Sequence, residues 1–326
     1  MRRRSLLLVT TWLVWVLLGC LADIGSAKER HHVGVVSFGG GQREVVIGMQ
    51  EGMRELGYEE GKNIAYTIVE ANSDERVRAA AEEFLRDKVD AVYSASTPIT
   101  KQVARVIKDI PVVFNIVGDP VGAGLARSMT SSGNNLTGCS NVSGQTGPKR
   151  LEVLKMMLPD VRRVLVLLDT NNPFSQDAIV ILRDAAKTLG VTLVEKHVGS
   201  TEEVGAVMKA VRPGEYDAFF HLGEGKVSGA IDAVISVANN VKLPTMAHEE
   251  SFAQKGMLAV YGPSWRLLGR QCAGILHQVL RGAKPADIPI QSPLKFDFIV
   301  NLKTAKALGI EIPNRVLMLA DKLIKE

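Results

Sequence analysis

Polar side chains recur where short apolar segments of this 326-residue chain end. The set offers hydroxyls, amides and carboxylates, which suit a small zwitterion: hydroxyls and helix N-termini bind a carboxylate, and Asp119 or Glu250 can bind an ammonium. Each residue can instead serve as a turn residue or a helix N-cap, and that alternative stays open. The set comprises Ser94, Ser96, Thr97, Asn115, Gly118, Asp119, Asp169, Thr170, Asn171, Asn172, Gly223, Glu224, Glu249 and Glu250.

Three glycines, Gly39 to Gly41, and Gln42 follow the first apolar segment. Glycines at a strand end let backbone N–H groups approach a ligand, so Gly40 and Gln42 join the candidate ligand-binding residues. The cluster lacks the G-x-G-x-x-G spacing and no phosphate-loop lysine follows it, so we expect no nucleotide cofactor. Phe174 lies at another predicted strand tip and could stack on a ligand, although core packing is the commoner role of an aromatic side chain.

Catalytic motifs are missing from the sequence. There is no G-x-S-x-G elbow and no H-E-x-x-H, and the six histidines show no metal-ligand spacing, so we expect no metal site. The net charge of +4 is spread along the chain, which argues against a nucleic-acid partner. A secreted α/β enzyme using Asp119 or Glu250 as an acid or base remains an alternative, without a nucleophile and base pair to support it.

The N-terminus has the layout of a secretory signal peptide, with three arginines before an uncharged apolar run at residues 6–18. This run is shorter than the roughly 20 residues of a membrane-spanning helix. We favour cleavage after Ala27, giving a signal peptide at residues 1–27, while Cys20 offers an alternative lipid attachment. The protein is therefore predicted to be periplasmic or otherwise extracytoplasmic. Cys139 and Cys272 would remain, and two separate buried thiols are the simpler interpretation of them.

From Val33 onward, buried strands alternate with amphipathic helices. The continuous apolar segment VGVVSF at residues 33–38 is typical of a strand covered on both faces. A helix follows, with an apolar face ending in a left-handed cap at Gly57; that face is formed by Val45, Met49, Met53 and Leu56. Repeated βαβ units predict parallel sheets with helices on both sides.

The same order of segments recurs about 130 residues later, as expected of a duplicated unit. RRVLVLLD at residues 162–169 matches the first strand, the next helix ends at Gly190 as the first ends at Gly57, and Asp217 takes the place of Asp90. The sequence therefore predicts an α/β fold of two Rossmann-like lobes.

Several short breaks suggest that the chain crosses between the lobes more than once. We place the hinge near residues 139–141, 261–262 and 291–293. Lobe 1 would then comprise residues 31–138 and 263–290, and lobe 2 residues 142–260 and 294–326. Ligands of open α/β sheets bind beyond the carboxyl ends of the strands, so the cleft between the lobes is the predicted site.

Several segments resemble the ABC transporter substrate-binding protein family that includes tryptophan and tyrosine transport receptors. They cover nearly all of the chain after residue 30: EGMRELGYEEGKNIAY, DKVDAVYSASTP, DIPVVFNIVGDPVGAGL, NNLTG, RLEVLKMMLPDVRRVLVLLD, QKGMLAVYGPSWRLLGRQCAGILHQVLRGAKPADIPIQ and VNLKTAKALGIEIP. The resemblance implies the type I periplasmic binding fold and delivery of a small solute to a membrane permease.

The resemblance also places residues at the cleft: Ser96, Thr97 and Asp119 on the ligand face of lobe 1, and Asn171, Phe174 and Glu250 on that of lobe 2. Two segments differ from the family pattern, Gly39 to Gln42 and Gly223 to Lys226. We therefore expect a monomeric, non-enzymatic receptor that binds a small polar or amino acid-like ligand and serves an ABC permease. A receptor feeding a membrane sensor kinase is the alternative within the same fold.

Overall fold

A computed structural model describes residues 30–169 and 171–325 of the protein. The predicted signal peptide at residues 1–27, Cys20 and Thr170 lie outside these residues. Within the described part of the chain, no helix has both the length and the apolar character needed to cross a membrane.

The first sheet contains five parallel strands in the order β2-β1-β3-β4-β5. Its strands are β1 (His31–Ser37), β2 (Ile64–Glu70), β3 (Ala91–Ala95), β4 (Val112–Val117) and β5 (Leu136–Ser140). Three helices connect them: α1 (Arg43–Glu55), α2 (Asp74–Arg86) and α3 (Thr97–Val106). This sheet and its helices form lobe 1.

The second sheet contains seven strands in the order β12-β11-β10-β9-β8-β6-β7. They are β6 (Arg163–Leu168), β7 (Thr192–His197), β8 (Ala218–Phe220), β9 (Thr245–Ala247), β10 (Ala259–Pro263), β11 (Phe296–Asn301) and β12 (Lys322–Ile324). All neighbours are parallel except β10 and β11, which the prediction of parallel sheets did not include. This sheet belongs to lobe 2.

Eight helices cover lobe 2 or link its strands to the rest of the chain among the described residues. They are α4 (Gly147–Met157), α5 (Pro173–Leu189), α6 (Thr201–Ala210), α7 (Gly225–Gly229), α8 (Ile231–Asn240), α9 (Glu250–Gln254), α11 (Leu302–Leu308) and α12 (Asn314–Leu317). A longer helix, α10 (Trp265–Leu280), lies between β10 and β11 in the chain.

The predicted internal repeat is confirmed by the strand order, since β7-β6-β8-β9-β10 in lobe 2 reproduces β2-β1-β3-β4-β5 in lobe 1. Aspartates at equivalent positions of the two lobes also accept equivalent hydrogen bonds. The Asp90 carboxylate accepts from the backbone N–H of His32 at 2.8 Å, and the Asp217 carboxylate accepts from that of Arg163 at 2.7 Å. Each carboxylate therefore fixes the start of the first strand of its lobe.

The first helix follows the prediction except at its end. Val45, Met49 and Met53 are fully buried, and Gly57 has the left-handed φ of 88°. Leu56 was expected on the same buried face but is 44% exposed. It is the residue that caps the helix, where the helical repeat no longer directs the side chain toward the core.

Helix α10 follows a strand of lobe 2 but packs in the core of lobe 1, where it lies against α1. The two helices approach through glycines. A Cβ at Gly269 would lie 2.1 Å from the backbone oxygen of Val45, and one at Gly48 would lie 1.9 Å from that of Arg266. Only glycine permits this close helix contact.

The chain thus passes between the sheets after β5, after β10 and before β11. Of the predicted hinge segments, 139–141 lies at the end of β5, 261–262 lies within β10, and 291–293 precedes β11. The lobe boundaries given above stay predictions. Cys139 and Cys272 are buried free thiols, and the Cys272 thiol donates to the Phe114 carbonyl at 3.4 Å.

Candidate functional site

The carboxyl ends of the strands in the two sheets face each other, and we call the contact between them the seam. On one side, a Cβ at Gly118, just after β4, would lie 3.3 Å from Cε2 of Phe174 in lobe 2. On the other, a Cβ at Gly41, after β1, would lie 2.6 Å from Oε1 of Glu249. The lobes are therefore closed on one another where ligands of such sheets bind.

Ser96, at the tip of β3, combines an unusual backbone with an unused side chain. Its φ of 92° is costly for any residue but glycine, and its Oγ is buried with no hydrogen-bond partner among the described residues. Buried hydroxyls are normally paired, so this one is suited to a ligand. Its neighbour Thr97 is used locally, because its Oγ1 accepts from the Gly118 N–H at 3.2 Å.

The glycine loop after β1 is shaped by its own residues. Gly39 and Gly40 have φ values of 73° and 56°, and the Gln42 side chain accepts from the Phe38 N–H at 2.9 Å. Gln42 thus holds the loop in place. Gly41, which was not among the predicted ligand-binding residues, is the residue of this loop that lies against lobe 2.

Asp119 lies next to the seam and also stabilises its own turn. Its Oδ1 accepts from the N–H groups of Val121 at 3.1 Å and Gly122 at 3.0 Å. The second oxygen, Oδ2, has no hydrogen-bond partner among residues 30–169 and 171–325. One oxygen of the Asp119 carboxylate therefore has no partner in this turn.

Phe174 lies at the start of α5 and its ring packs against glycines of both lobes. Cβ atoms at Gly118, Gly144 and Gly223 would lie 3.3, 3.1 and 3.4 Å from the ring carbons. The ring is half-buried, so it retains free surface. Asn171 is exposed, and its N–H donates to Asp169 Oδ1 at 2.9 Å.

Charged residues of lobe 2 near the seam are mostly paired. Asp169, at the tip of β6, forms an ion pair with Lys226. Burial opposes ionisation of Asp169, but the bonds from Lys226 and the Asn171 N–H outweigh it and lower the pKa of this carboxyl. Glu224 is 2% exposed and caps α7, where it accepts from the Lys226 N–H at 2.7 Å. Glu224 was predicted to bind ligand, and the structure also gives it this structural role.

Two adjacent glutamates after β9 have side chains with different neighbours. Glu250, the predicted ammonium ligand, pairs with Lys322 of β12 at 2.6 Å. Glu249 instead lies against Gly41 across the seam and accepts from the Ser251 hydroxyl. Burial raises the pKa of Glu249 to about 7. Of the two, Glu249 is the carboxylate that faces lobe 1.

Sequence reasoning missed a buried group behind the lobe 2 wall. Arg150 of α4 is fully buried, and His221 and His248 stack beside it with ring centroids 5.2 Å apart. Burial lowers the pKa of His221 to about 3 and that of His248 well below its ordinary value, and the charge of Arg150 adds to both shifts. Both imidazoles are therefore neutral at physiological pH. Among the described residues, no group of three or more acidic, His or Cys side chains is arranged to hold a metal ion.

Comparisons with known proteins agree with this geometry. A model of the family described as ABC transporter substrate binding protein matches residues 33–324. A tyrosine-binding protein from Clostridioides difficile (strain R20291) is 30% identical over 265 residues, which are 81% of this chain and 76% of that protein.

Two solved structures are also similar. An ABC domain from Streptococcus pneumonia in complex with L-Trp is 26% identical with a TM-score of 0.80, covering 90% of this chain and 100% of that one. The ligand-free, open structure of a substrate-binding protein with adhesive properties from Clostridium difficile is 26% identical with a TM-score of 0.71, covering 91% of this chain and 100% of that one. At equal identity, this chain matches the L-Trp complex better than the open form.

These comparisons confirm the resemblance and the two-lobed type I periplasmic binding fold. Substrate-binding proteins of ABC transporters are not enzymes; they act outside the cytoplasm and bind small ligands. The alternative of a secreted enzyme is thereby removed. Because the family model covers nearly all the described residues, this protein belongs to the ABC transporter substrate-binding protein family.

Proposed function

We propose that this protein is the receptor of an ABC importer and that it binds an aromatic L-amino acid in the seam. The observation that carries the proposal is the seam itself, where the strand ends of two like sheets meet. There the Phe174 ring of lobe 2 lies against Gly118 of lobe 1, whose N–H bonds Thr97, the residue next to the unpartnered buried hydroxyl of Ser96. The relatives support the ligand class, since one is a tyrosine-binding protein and another was solved with L-Trp.

The polar end of such a ligand has partners in both lobes. Glu249 pairs with no cation among the described residues, so the ligand ammonium can provide its counter-charge. The free oxygen of Asp119 is a second acceptor on the lobe 1 side. The free surface of the Phe174 ring is available for stacking on an aromatic side chain, an arrangement that contributes about 0.5–1.5 kcal/mol beyond area burial.

Transport follows from closure of the two lobes. A ligand that contacts both lobes stabilises the closed form, and a permease can recognise the closed outline. We propose that the receptor works as a monomer, with a membrane permease as its partner. Signal cleavage after Ala27 would release it, whereas acylation of Cys20 would anchor it to the membrane by lipid.

Calorimetric titration of the mature protein with L-tyrosine, L-tryptophan, L-leucine and L-glutamate tests the ligand class. We expect the two aromatic amino acids to bind most tightly. Phe174→Ala should weaken their binding about tenfold, or about 1.4 kcal/mol, whereas Val180→Ala on the same helix, where Val180 is 54% exposed, should not.

Failure of every aromatic amino acid to bind would reject the proposed ligand class. Mass spectrometry of the ligand that copurifies with the protein would then identify the actual solute. Equal affinity of wild-type protein and Phe174→Ala would remove the ring from the site.

A further inference from the structure

Arg150 is a buried cation without an anion. Its side chain is fully buried, and no carboxylate in the described part of the chain forms an ion pair with it. Its four hydrogen bonds, all at 3.3 Å, reach neutral oxygens: the carbonyls of Ser143, His221 and Leu222, and the hydroxyl of Thr146. Burying a charge among neutral groups is costly, and it lowers the pKa of Arg150 to about 9.

Two of these carbonyls belong to peptides that end in glycine at the seam. The guanidinium bonds the carbonyl oxygens of Ser143 and Leu222, so it holds the peptides Ser143–Gly144 and Leu222–Gly223. In a trans peptide the N–H points away from the C=O. The N–H groups of Gly144 and Gly223 therefore point away from Arg150, and neither has an acceptor among residues 30–169 and 171–325.

The side away from Arg150 is the seam. The guanidinium lies over the ring of Phe220, 5.1 Å from its centroid, and Phe220 is part of the lobe 2 core. On the opposite side, Gly144 and Gly223 lie against Phe174, which also contacts lobe 1. A side chain at either position would cover the peptides, and the φ of 105° at Gly223 is suited only to glycine.

The other charged groups near this wall are paired or directed elsewhere. The Glu224 carboxylate is directed to the start of α7, and Asp169 is neutralised by Lys226. The stacked His221 and His248 are neutral for the reasons given above. Hydrogen bonding to a cation polarises a peptide and strengthens its N–H as a donor.

We propose that Arg150 is a positioning residue for ligand specificity: it holds and polarises the Gly144 and Gly223 peptides so that their N–H groups bind a carboxylate in the seam. The inference rests on the proposed function, because it assigns the acid group of the amino acid to lobe 2. It places the Arg150 charge behind the binding surface, where it acts through the two peptides without touching the ligand.

Amide NMR of the wild-type protein tests the inference directly. Titration with sodium acetate, against sodium chloride at equal ionic strength, should shift the Gly144 and Gly223 amide protons downfield, and L-tyrosine should shift them further. Tyramine, which lacks the carboxylate, should leave them near their starting positions. Absence of these shifts with both acetate and L-tyrosine would overturn the inference.

A variant series gives an independent measurement. Arg150→Met should reduce the ratio of affinities for L-tyrosine and tyramine at least tenfold, Arg150→Lys should restore part of that ratio, and Lys149→Met, which removes an exposed partner of Glu152, should not change it. An equal loss of affinity for both compounds would show a purely structural role and overturn the inference. If Arg150→Met does not fold, the wild-type NMR titration decides.

The two proposals can fail separately. Binding of L-tyrosine without a change at the two glycine amides would leave the proposed function intact and reject the anion site. Shifts with acetate but no binding of any aromatic amino acid would reject the proposed ligand class and support the anion site.

Discussion

The two lobes share a strand order but present different chemistry at the seam. Lobe 1 offers glycine backbone, the Ser96 hydroxyl and Asp119, which also serves its own turn. Lobe 2 places Arg150, the Asp169–Lys226 pair and Glu249 at or behind its surface. Duplication thus conserved the positions of the strand tips while the residues on them diverged, and the electrostatics of binding should arise in lobe 2.

Spectroscopy can distinguish unfolding of lobe 1 from unfolding of the whole protein. Trp265 at the start of α10 packs in the lobe 1 core, and the other tryptophans, Trp12 and Trp15, lie in the predicted signal peptide. Fluorescence of the mature protein therefore reports on lobe 1, whereas far-UV circular dichroism reports on both lobes.

The largest expected effect is on lobe 1 stability. Gly269→Ala places a methyl group against the Val45 carbonyl, so we expect a loss of about 3 kcal/mol in the free energy of unfolding. Gly274→Ala on the same helix meets no atom within 4 Å and should stabilise by about 0.5–1 kcal/mol. Urea denaturation followed by Trp265 fluorescence measures both. Equal stability of the two variants would show that α1 and α10 are not in close contact.

The next effect compares an ion pair at a strand tip of each lobe. Lys226→Met leaves the buried Asp169 without its cation and should clearly lower the urea midpoint, because an uncompensated buried charge is costly. Arg43→Met removes an exposed partner of Glu70 in lobe 1 and should change the midpoint little. If Arg43→Met lowered the urea midpoint more than Lys226→Met does, the expected contrast between the lobes would be reversed.

A pH-dependent effect should arise from Glu249. Burial raises its pKa to about 7, so the folded protein keeps this proton to higher pH than the unfolded chain, whose value is near 4.5. The free energy of unfolding contributed by Glu249 therefore falls as the pH rises from about 4.5 to about 7 and is constant above. Glu249→Gln should remove this fall, and Glu250→Gln should retain it. Thermal melts between pH 5 and pH 8 measure the difference, and an unchanged profile in Glu249→Gln would exclude Glu249 as its source.

The smallest expected effect on stability is that of Ser96→Ala. Its hydroxyl has no partner, so stability should change by less than about 0.5 kcal/mol, while affinity for L-tyrosine falls about tenfold. Ser94→Ala should do the opposite, because the Ser94 hydroxyl bonds Thr100 at 2.9 Å inside the core. Loss of this hydrogen bond should lower the free energy of unfolding by about 1 kcal/mol without affecting ligand binding. If Ser96→Ala keeps full affinity, the Ser96 hydroxyl is not part of the binding site.

Much of the fold could be predicted because it depends on local patterns. Apolar segments and helical spacing identified the strands and helices, and the matching positions of Gly57 with Gly190 and of Asp90 with Asp217 identified the repeat. Ser96 was found because polar residues at strand ends meet at one edge of a parallel sheet. Its φ of 92° was not predictable, since tertiary contacts impose it.

The rest of the site depends on the orientation of side chains and on ion pairs between residues that are distant in sequence. Glu249 and Glu250 are neighbours in sequence, and only the direction in which α9 starts decides which one faces lobe 1. The pair Asp169–Lys226 joins residues 57 positions apart. Arg150 did leave a signal, because Arg150, Leu154 and Met157 share one helical face, and a cation on an apolar face is a candidate for a buried role.

Helix α10 makes the N-terminal lobe dependent on residues 265–280, which are synthesised long after α1. Until residue 280 has been synthesised, α1 lacks the surface against which Gly48 and Gly269 bring the two backbones together. Loss of the C-terminal fifth of the chain, by truncation or proteolysis, would therefore unfold its first hundred residues.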